Sequence, residues 1–281
     1  MTVLVTGSRG RVGASLVSLL HAEGHPVRAA SRAPEEVTAP PGVPTVACDL
    51  GSPATFPAAL DGVDSVFLYA DPGHIDAFIE QARTAGVRHI VLLSSSSVLD
   101  PGAADNRIGA FHLNSERALE SAPIEATFLR PGDFATNALQ WSRPVRATGA
   151  VDLPQPDAYG SPIHERDIAD VAFAVLTRPG PGMRGTGHHL TGPEPLTFTQ
   201  QVAVLARATG RDIKVNTVTP EAWKRSVAAH VPAEIADALL AHWAGAGAAP
   251  TVTTDTVERL TGHPARTFAD WATDHADAFR T

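Results

Sequence analysis

Three glycines recur at a spacing of three near the start of this 281-residue chain: Gly7, Gly10 and Gly13. The apolar run Val3 to Val5 precedes them, and a helical pattern of Val12, Leu16, Leu19 and Leu20 follows at once. The chemistry open to such a turn is anion binding. The first N–H groups of a helix have no partner within it, and the helix dipole adds partial positive charge there. An anion comes close only where no Cβ blocks it, which glycine ensures. Strand, glycine turn and helix form the setting of a loop that holds a dinucleotide pyrophosphate. The loop comprises Gly7, Ser8, Arg9, Gly10, Arg11, Val12 and Gly13.

Such a loop is usually followed, about 20 residues on, by an acid that holds the ribose 2′-OH. Here that place reads Ala30-Ser31-Arg32, and Glu35 and Glu36 come slightly late. Arg32, together with Arg9, suits a 2′-phosphate through charge-assisted hydrogen bonds. The expected cofactor is therefore NADP(H) rather than NAD. His188-His189 has no Cys or acidic partner at ligand spacing, so no metal site is expected.

The elements that must position these residues alternate. After the first helix, strands are predicted at His25 to Ser31, Val43 to Ala47, Val63 to Tyr69, His89 to Leu93 and Ala126 to Leu129. Helices are predicted between them at Pro53 to Leu60, His74 to Ala85 and Ile108 to Ser121. This rhythm implies a doubly wound parallel sheet, the Rossmann fold, over residues 1–132. Beyond Gly132 it breaks. Phe134 to Trp141, Glu165 to Leu176, Thr197 to Ala208, Pro220 to Ala229 and Pro232 to Ala244 read as helices, with a strand at Ile213 to Val218. Pro179 to Gly187 reads as a turn-rich loop. Residues 133–281 should form a smaller, mostly helical substrate lobe intertwined with the first part.

The formal net charge of −8 argues against binding nucleic acid or an anionic membrane. One cysteine, Cys48, permits no intrachain disulfide. No run approaches the roughly 20 apolar residues of a membrane span, and the N-terminus lacks the pattern of a signal peptide. These features lead to the expectation of a soluble, cytoplasmic protein with a small-molecule substrate. A homodimer is left open.

The motif Thr6-Gly7-x-x-Gly10-x-x-Gly13 resembles that of the extended and atypical short-chain dehydrogenase/reductases. The likeness continues at Asp49-Leu50, in the serine run Ser94 to Ser97, and at His112-x-x-x-Glu116-x-x-Leu119. Thr127-Phe128-Leu129-Arg130-Pro131-Gly132-x-Phe134-x-x-Asn137 and Asp167-Ile168-Ala169-Asp170-Val171-Ala172 extend it. Together these resemble the NmrA-like branch, which includes NADPH-dependent quinone and aromatic reductases and non-catalytic NADP sensors. The resemblance implies that Asp49 and Leu50 contact the adenine, and that Tyr69, Ala70 and Asp71 flank the cofactor. It places Ser94 and Ser95 near the nicotinamide, and Pro131 and Gly132 on the substrate side, with Pro131 also touching the cofactor. Phe134, Asn137 and Trp141 would shape the substrate side.

The chain departs from the superfamily at one place. Short-chain dehydrogenases usually carry Tyr-x-x-x-Lys on the helix after the fifth strand. Here Ile108 stands at the Tyr place and His112 at the Lys place, and no Tyr or Lys occurs between Asp71 and Tyr159. The usual proton donor is missing. The expected activity is hydride transfer from NADPH to an aromatic or conjugated acceptor, quinone- or imine-like, with His112, Ser94 and Ser95 as candidate catalytic groups. An NADP-binding redox sensor and an epimerase-like enzyme are the alternative readings.

Overall fold

Short runs of consecutive apolar residues bury both faces of a parallel sheet. In the first strand, β1 (Val3–Val5), Val3 and Val5 face one core while Leu4 faces the other. The computed structural model describes residues 1–246 and 249–280. Six further strands join β1: β2 (Val27–Ser31), β3 (Thr45–Ala47), β4 (Ser65–Tyr69), β5 (His89–Leu93), β6 (Glu125–Pro131) and, much later in the chain, Gly187–Leu190. The order is β3-β2-β1-β4-β5-β6 and then Gly187–Leu190, and every pairing is parallel. The chain winds outward from β1 to β3 and returns to β4 beside β1. The strand order reverses there, and that crevice is where a doubly wound fold takes its ligand.

Helix α1 (Arg11–Ala22) covers one face of the sheet. Helices α2 (Phe56–Leu60), α3 (Ile75–Ala85) and α4 (Arg107–Glu120) cover the other, with Phe56, Phe78 and Leu119 in the second core. Asn106 caps α4 by accepting from the Ile108 and Gly109 N–H groups at 2.8 and 3.2 Å.

Past β6 the chain makes a 3₁₀ stretch at Ala135–Trp141, where a helix is predicted, and then α5 (Ser142–Thr148). Strands β7 (Ala150–Leu153) and β8 (Tyr159–Gly160) follow, and then α6 (Glu165–Thr177). The late strand of the main sheet is thus β9. The second half continues with β10 (Leu196–Thr197), α7 (Phe198–Thr209), β11 (Lys214–Thr217), α8 (Pro220–Val227) and α9 (Ala233–Ala246). It ends in α10 (Thr256–Thr261), α11 (Phe268–Asp274) and α12 (Asp277–Arg280).

The sequence pattern does not predict β9. Gly187-His188-His189-Leu190 has one strongly apolar residue, yet it pairs along its length with β6. Its glycine has a reason: a Cβ there would overlap the Arg130 guanidinium. Helix α6 also belongs to the nucleotide half, since Ile168, Val171, Ala172 and Val175 share a core with α1 and β1. Val257 and Leu260 of α10 join the same core. A division at residue 132 therefore marks where the chain leaves β6, while β9, α6 and α10 return to complete the first part.

The lobe has its own core. Trp271, fully buried, stacks on Phe268 at 5.3 Å. It is joined to the nucleotide half by polar contacts at the start of α6. Arg266 pairs with both Asp167 and Asp170, and His275 Nε2 lies 2.7 Å from Glu165 Oε1. His263 brings a third ligand-type atom near Asp167 and Asp170, but Arg266 already engages both carboxylates. The cluster is built as an ion-pair clamp.

Buried His89 links β5 to β6 through a 2.9 Å hydrogen bond with Thr127 Oγ1. Burial, with a smaller contribution from the Arg184 charge, pushes its pKa down to about 3. The unfolded chain holds its histidines near 6.5. Between those values the unfolded state binds more protons, so stability falls as pH drops through the window. The full penalty is about 4–5 kcal/mol at about 1.4 kcal/mol per pKa unit. Glu165 adds loss of the same sign only below pH 4.5, because its pKa is held at about 2. Denaturant midpoints measured from pH 6.5 to 4.5 should fall steadily. His89→Gln should remove up to one proton's share of that slope. An unchanged slope would mean that His89 is not kept neutral by the fold.

Candidate cofactor and substrate site

The glycine loop closes on itself. Gly7 has φ +64°, a conformation that favours glycine. The Gly10 N–H donates to the Gly7 carbonyl at 2.8 Å. A Cβ on Gly13 would lie 2.5 Å from the Gly7 carbonyl oxygen, so the third glycine lets α1 pack against the turn. No side chain caps α1, whereas α4, α6, α7, α8 and α11 each carry a side-chain cap. The donors at the start of α1 are thereby left for an outside anion.

Ser8 takes a different place from the expected one. Its Oγ donates to the Val5 carbonyl at 2.7 Å and accepts from the Ala30 N–H at 3.1 Å, and its own N–H donates to the Ala30 carbonyl. It is buried and ties the loop to β2, so no polar group of it is left for a ligand. Val12 likewise puts its side chain into the core and leaves only backbone toward the loop. Arg9 and Arg11 are exposed.

The end of β2 lies beside the glycine loop, to which Ser8 ties it. The Ser31 hydroxyl accepts from the Ala33 N–H at 3.1 Å and shapes the turn. Arg32 is exposed and makes no ion pair among the described residues. Arg9 pairs with Glu36 across the gap. Asp49 accepts from the Gly51 N–H, and Asp71 from the Gly73 N–H, both at 3.0 Å. Leu50 packs at the edge of the second core, and Ala70 is buried there. Tyr69 is 56% exposed, and a Cβ on Gly7 would lie 3.5 to 3.7 Å from its side chain at the crevice.

At the carboxyl ends of β5 and β6 the structure corrects the sequence reading. The Ser94 hydroxyl is buried and donates to Glu116 Oε1 at 2.5 Å. Glu116 in turn accepts two hydrogen bonds from Arg130, at 3.0 and 2.6 Å. Ser94 is thus a positioning residue whose proton is committed to a buried carboxylate. The Ser95 hydroxyl accepts from the Ser97 N–H at 3.2 Å and caps a 3₁₀ turn. His112 is half-buried, and its Nδ1 is sealed from solvent without a partner. Burial lowers its pKa below the usual histidine value and outweighs the nearby Glu116 charge. That direction favours the uncharged imidazole over a charged donor.

Pro131 is buried, and the Gly132 N–H donates to the Leu190 carbonyl at 2.9 Å. Phe134 packs on the first core and is half-buried. Asn137 is exposed. Trp141 is only 7% exposed and meets Phe198 edge-on at 6.0 Å, inside the lobe core. Its ring belongs to the core of the lobe.

Asp133, which the sequence reading passes over, stands directly after Gly132. Its Oδ2 accepts from the Ser161 N–H at 3.3 Å, and His242 of α9 lies 3.9 Å from its Oδ1. The side chain is 33% exposed. Burial raises its pKa, against the opposing effects of the His242 charge and the Ser161 hydrogen bond. An acid so placed, at the end of a parallel strand, was the available signal. Cys48 sits at the edge of β3, where burial and the Asp49 charge push its pKa up to about 12; it is an inert thiol.

Fold and loop together define a dinucleotide-binding protein of the doubly wound class. The model of an NAD(P)H-binding family matches residues 7–179, and the chain belongs to that family. It is 38% identical over 283 residues to a (4-alkanoyl-5-oxo-2,5-dihydrofuran-3-yl)methyl phosphate reductase of Streptomyces griseus, covering 99% of both chains. It is 36% identical over 291 residues to an NAD(P)H azoreductase of Xenophilus azovorans, again covering 99% of both. The fold matches that of Citrobacter sp. triphenylmethane reductase with a TM-score of 0.80 at 21% identity, covering 98% of this chain and 99% of that one. The NAD(P)H-binding assignment agrees with the resemblance carried by the sequence motifs.

Two glycine variants should separate binding from folding. Gly10→Val meets only the Gly7 carbonyl, at 3.1 Å, so the protein should fold but lose NADPH binding in calorimetry. Gly13→Ala should lower the melting temperature, because its Cβ has no space. Tight binding by folded Gly10→Val would remove the loop from the site. Glu116→Gln should cost about 3–5 kcal/mol in denaturant unfolding, the usual result of breaking a buried pair.

Proposed function

We propose that this chain is an NADPH-dependent reductase of a conjugated or aromatic small molecule, and that Asp133 supplies the proton. The observation that carries the reading is an acid, Asp133, held by the Ser161 N–H beside His242 just past the end of β6, at the same sheet edge as the glycine loop, in a chain without the Tyr-Lys pair. Two relatives aligned end to end support it. Both are named reductases, and their names specify an azo group in one and an unsaturated oxo ring in the other.

The first-turn N–H groups of α1 would hold the pyrophosphate, and Arg32 the 2′-phosphate. Tyr69 would flank the dinucleotide at the crevice. When bound there, NADPH provides the hydride. The chain's own part is to orient the acceptor and to manage one proton. Pro131 and Gly132 present backbone rather than bulk at the end of β6, and Phe134 offers a flat apolar wall. A neutral acceptor that gains a hydride at one atom develops negative charge on its neighbour. The Asp133 carboxyl would donate its proton to that neighbour, and the resulting carboxylate would lie beside His242. General acid catalysis of this kind is worth roughly 10²–10⁴-fold.

The test compares a neutral azo dye with a cationic triphenylmethane dye, which needs only the hydride. Wild-type protein should consume NADPH saturably with the neutral dye. Asp133→Asn should slow that turnover about 100-fold or more while changing the cationic dye's rate little and NADPH affinity not at all. Turnover of the neutral dye should fall as pH rises through the elevated Asp133 pKa, since only the protonated acid donates. Equal losses with both dyes would assign Asp133 a purely structural role. Tight NADPH binding with no turnover of any acceptor would favour the sensor.

A further inference from the structure

The Arg9–Glu36 pair spans the gap between the glycine loop and the end of β2. Arg9 belongs to the loop. Glu36 ends a 3₁₀ turn, Pro34–Glu36, that follows β2 with proline in its first turn. The two side chains are 43% and 55% exposed, so the pair is accessible rather than part of the core. The frame that holds them apart is rigid: Ser8 bonds to both the N–H and the carbonyl of Ala30. Arg32 lies at the same end of β2, exposed and outside any ion pair among the described residues. The adenosine end therefore has two cations, of which one is already engaged by an acid. Glu35, also exposed, is the remaining charge on the turn.

We infer that Glu36 is a specificity residue that limits the chain's preference for a 2′-phosphorylated dinucleotide. The inference rests on the reading that the adenosine ribose lies between the loop and the end of β2. A 2′-phosphate can recruit Arg9 only by drawing it from Glu36, and it must then sit beside that carboxylate. Like charges at such range repel, and the phosphate carries close to two negative charges. A 2′-hydroxyl makes no such demand. The Arg9–Glu36 pair stays intact, and a carboxylate oxygen of Glu36 can accept from the hydroxyl, as an acid near this position does in NAD sites. Arg32 alone then favours the phosphate, while Glu36 works against it. The chain should accept both cofactors with a modest bias toward NADPH, and the bias should be adjustable at one surface position.

The test uses the adenosine fragments alone, 2′,5′-ADP and 5′-AMP, in calorimetric titrations at fixed low salt. Glu36→Gln should tighten 2′,5′-ADP by about two- to fivefold, the scale of one exposed ion pair. It should leave 5′-AMP unchanged or slightly weaker. Arg9→Met should weaken 2′,5′-ADP, and the double variant should show less than the full gain from Glu36→Gln. Melting curves confirm that each variant is folded. If both fragments bind the wild type and Glu36→Gln leaves their ratio within twofold, or shifts it toward 5′-AMP, Glu36 has no part in selection. If neither fragment binds the wild type, the nucleotide reading itself fails and the role of Glu36 fails with it. If the wild type binds both fragments equally and Arg32→Ala changes neither, the NADP preference is wrong, and Glu36→Gln alone then decides whether the acid is the reason.

Discussion

The carboxylate of Glu116 is the constraint on which the working edge of the sheet depends. It is a charge taken out of water, and such a group is tolerated only when its oxygens are well paired. Arg130 supplies two hydrogen bonds and Ser94 a third. Those three residues stand on α4, on the turn after β5, and on β6. The pair therefore fixes the distance between a helix and two strand ends at one point. It also dictates a residue on a fourth element, since only glycine at 187 leaves room for the guanidinium. Asp133 follows Arg130 by three residues, and His112 precedes Glu116 by one helical turn. Their positions are set by a salt bridge that does no chemistry itself.

The nucleotide end rests on the opposite strategy. There the backbone groups are left without partners. Every polar group that could close the loop is used to shape it: the Ser8 hydroxyl, the Thr6 hydroxyl on the Phe67 carbonyl, and the Gly10 N–H. The start of α1 has no side-chain cap, whereas α4 and α6 each carry one. The protein keeps a pre-formed shortage of acceptors where an anion is to sit, and pays for its order with bonds placed just behind it.

The loop, the strand rhythm and the parallel sheet are legible in the sequence, because glycine spacing and apolar runs report local geometry directly. β9 is not, because its pairing depends on Arg130, nearly sixty residues earlier, and its own composition is that of a loop. Ser94 and Trp141 show a second limit. Residue type and place in the chain put them at the site, but side-chain direction is decided by long-range partners, Glu116 for one and Phe198 for the other. Asp133 was hidden for the converse reason. It occupies a position that the motif treats as variable, and its meaning comes from Ser161 and His242, which lie far along the chain. His112 stands out in the sequence at the Lys place, but the burial that lowers its pKa is not visible in any spacing.

The return of α10 to the first core has a consequence for how the chain reaches its native state. Val257 and Leu260 pack on α6 and β9 and complete the core that β1 and α1 share, so a core begun by β1 waits for a helix far later in the chain. Contacts of such sequence separation close slowly, since the loop entropy is lost before the packing energy is gained. Until then the α6 face of the sheet is open, and a nascent chain stopped before residue 257 exposes an apolar surface suited to aggregation. The nucleotide half is continuous in space but not in synthesis. Its first core stays incomplete until α10 docks.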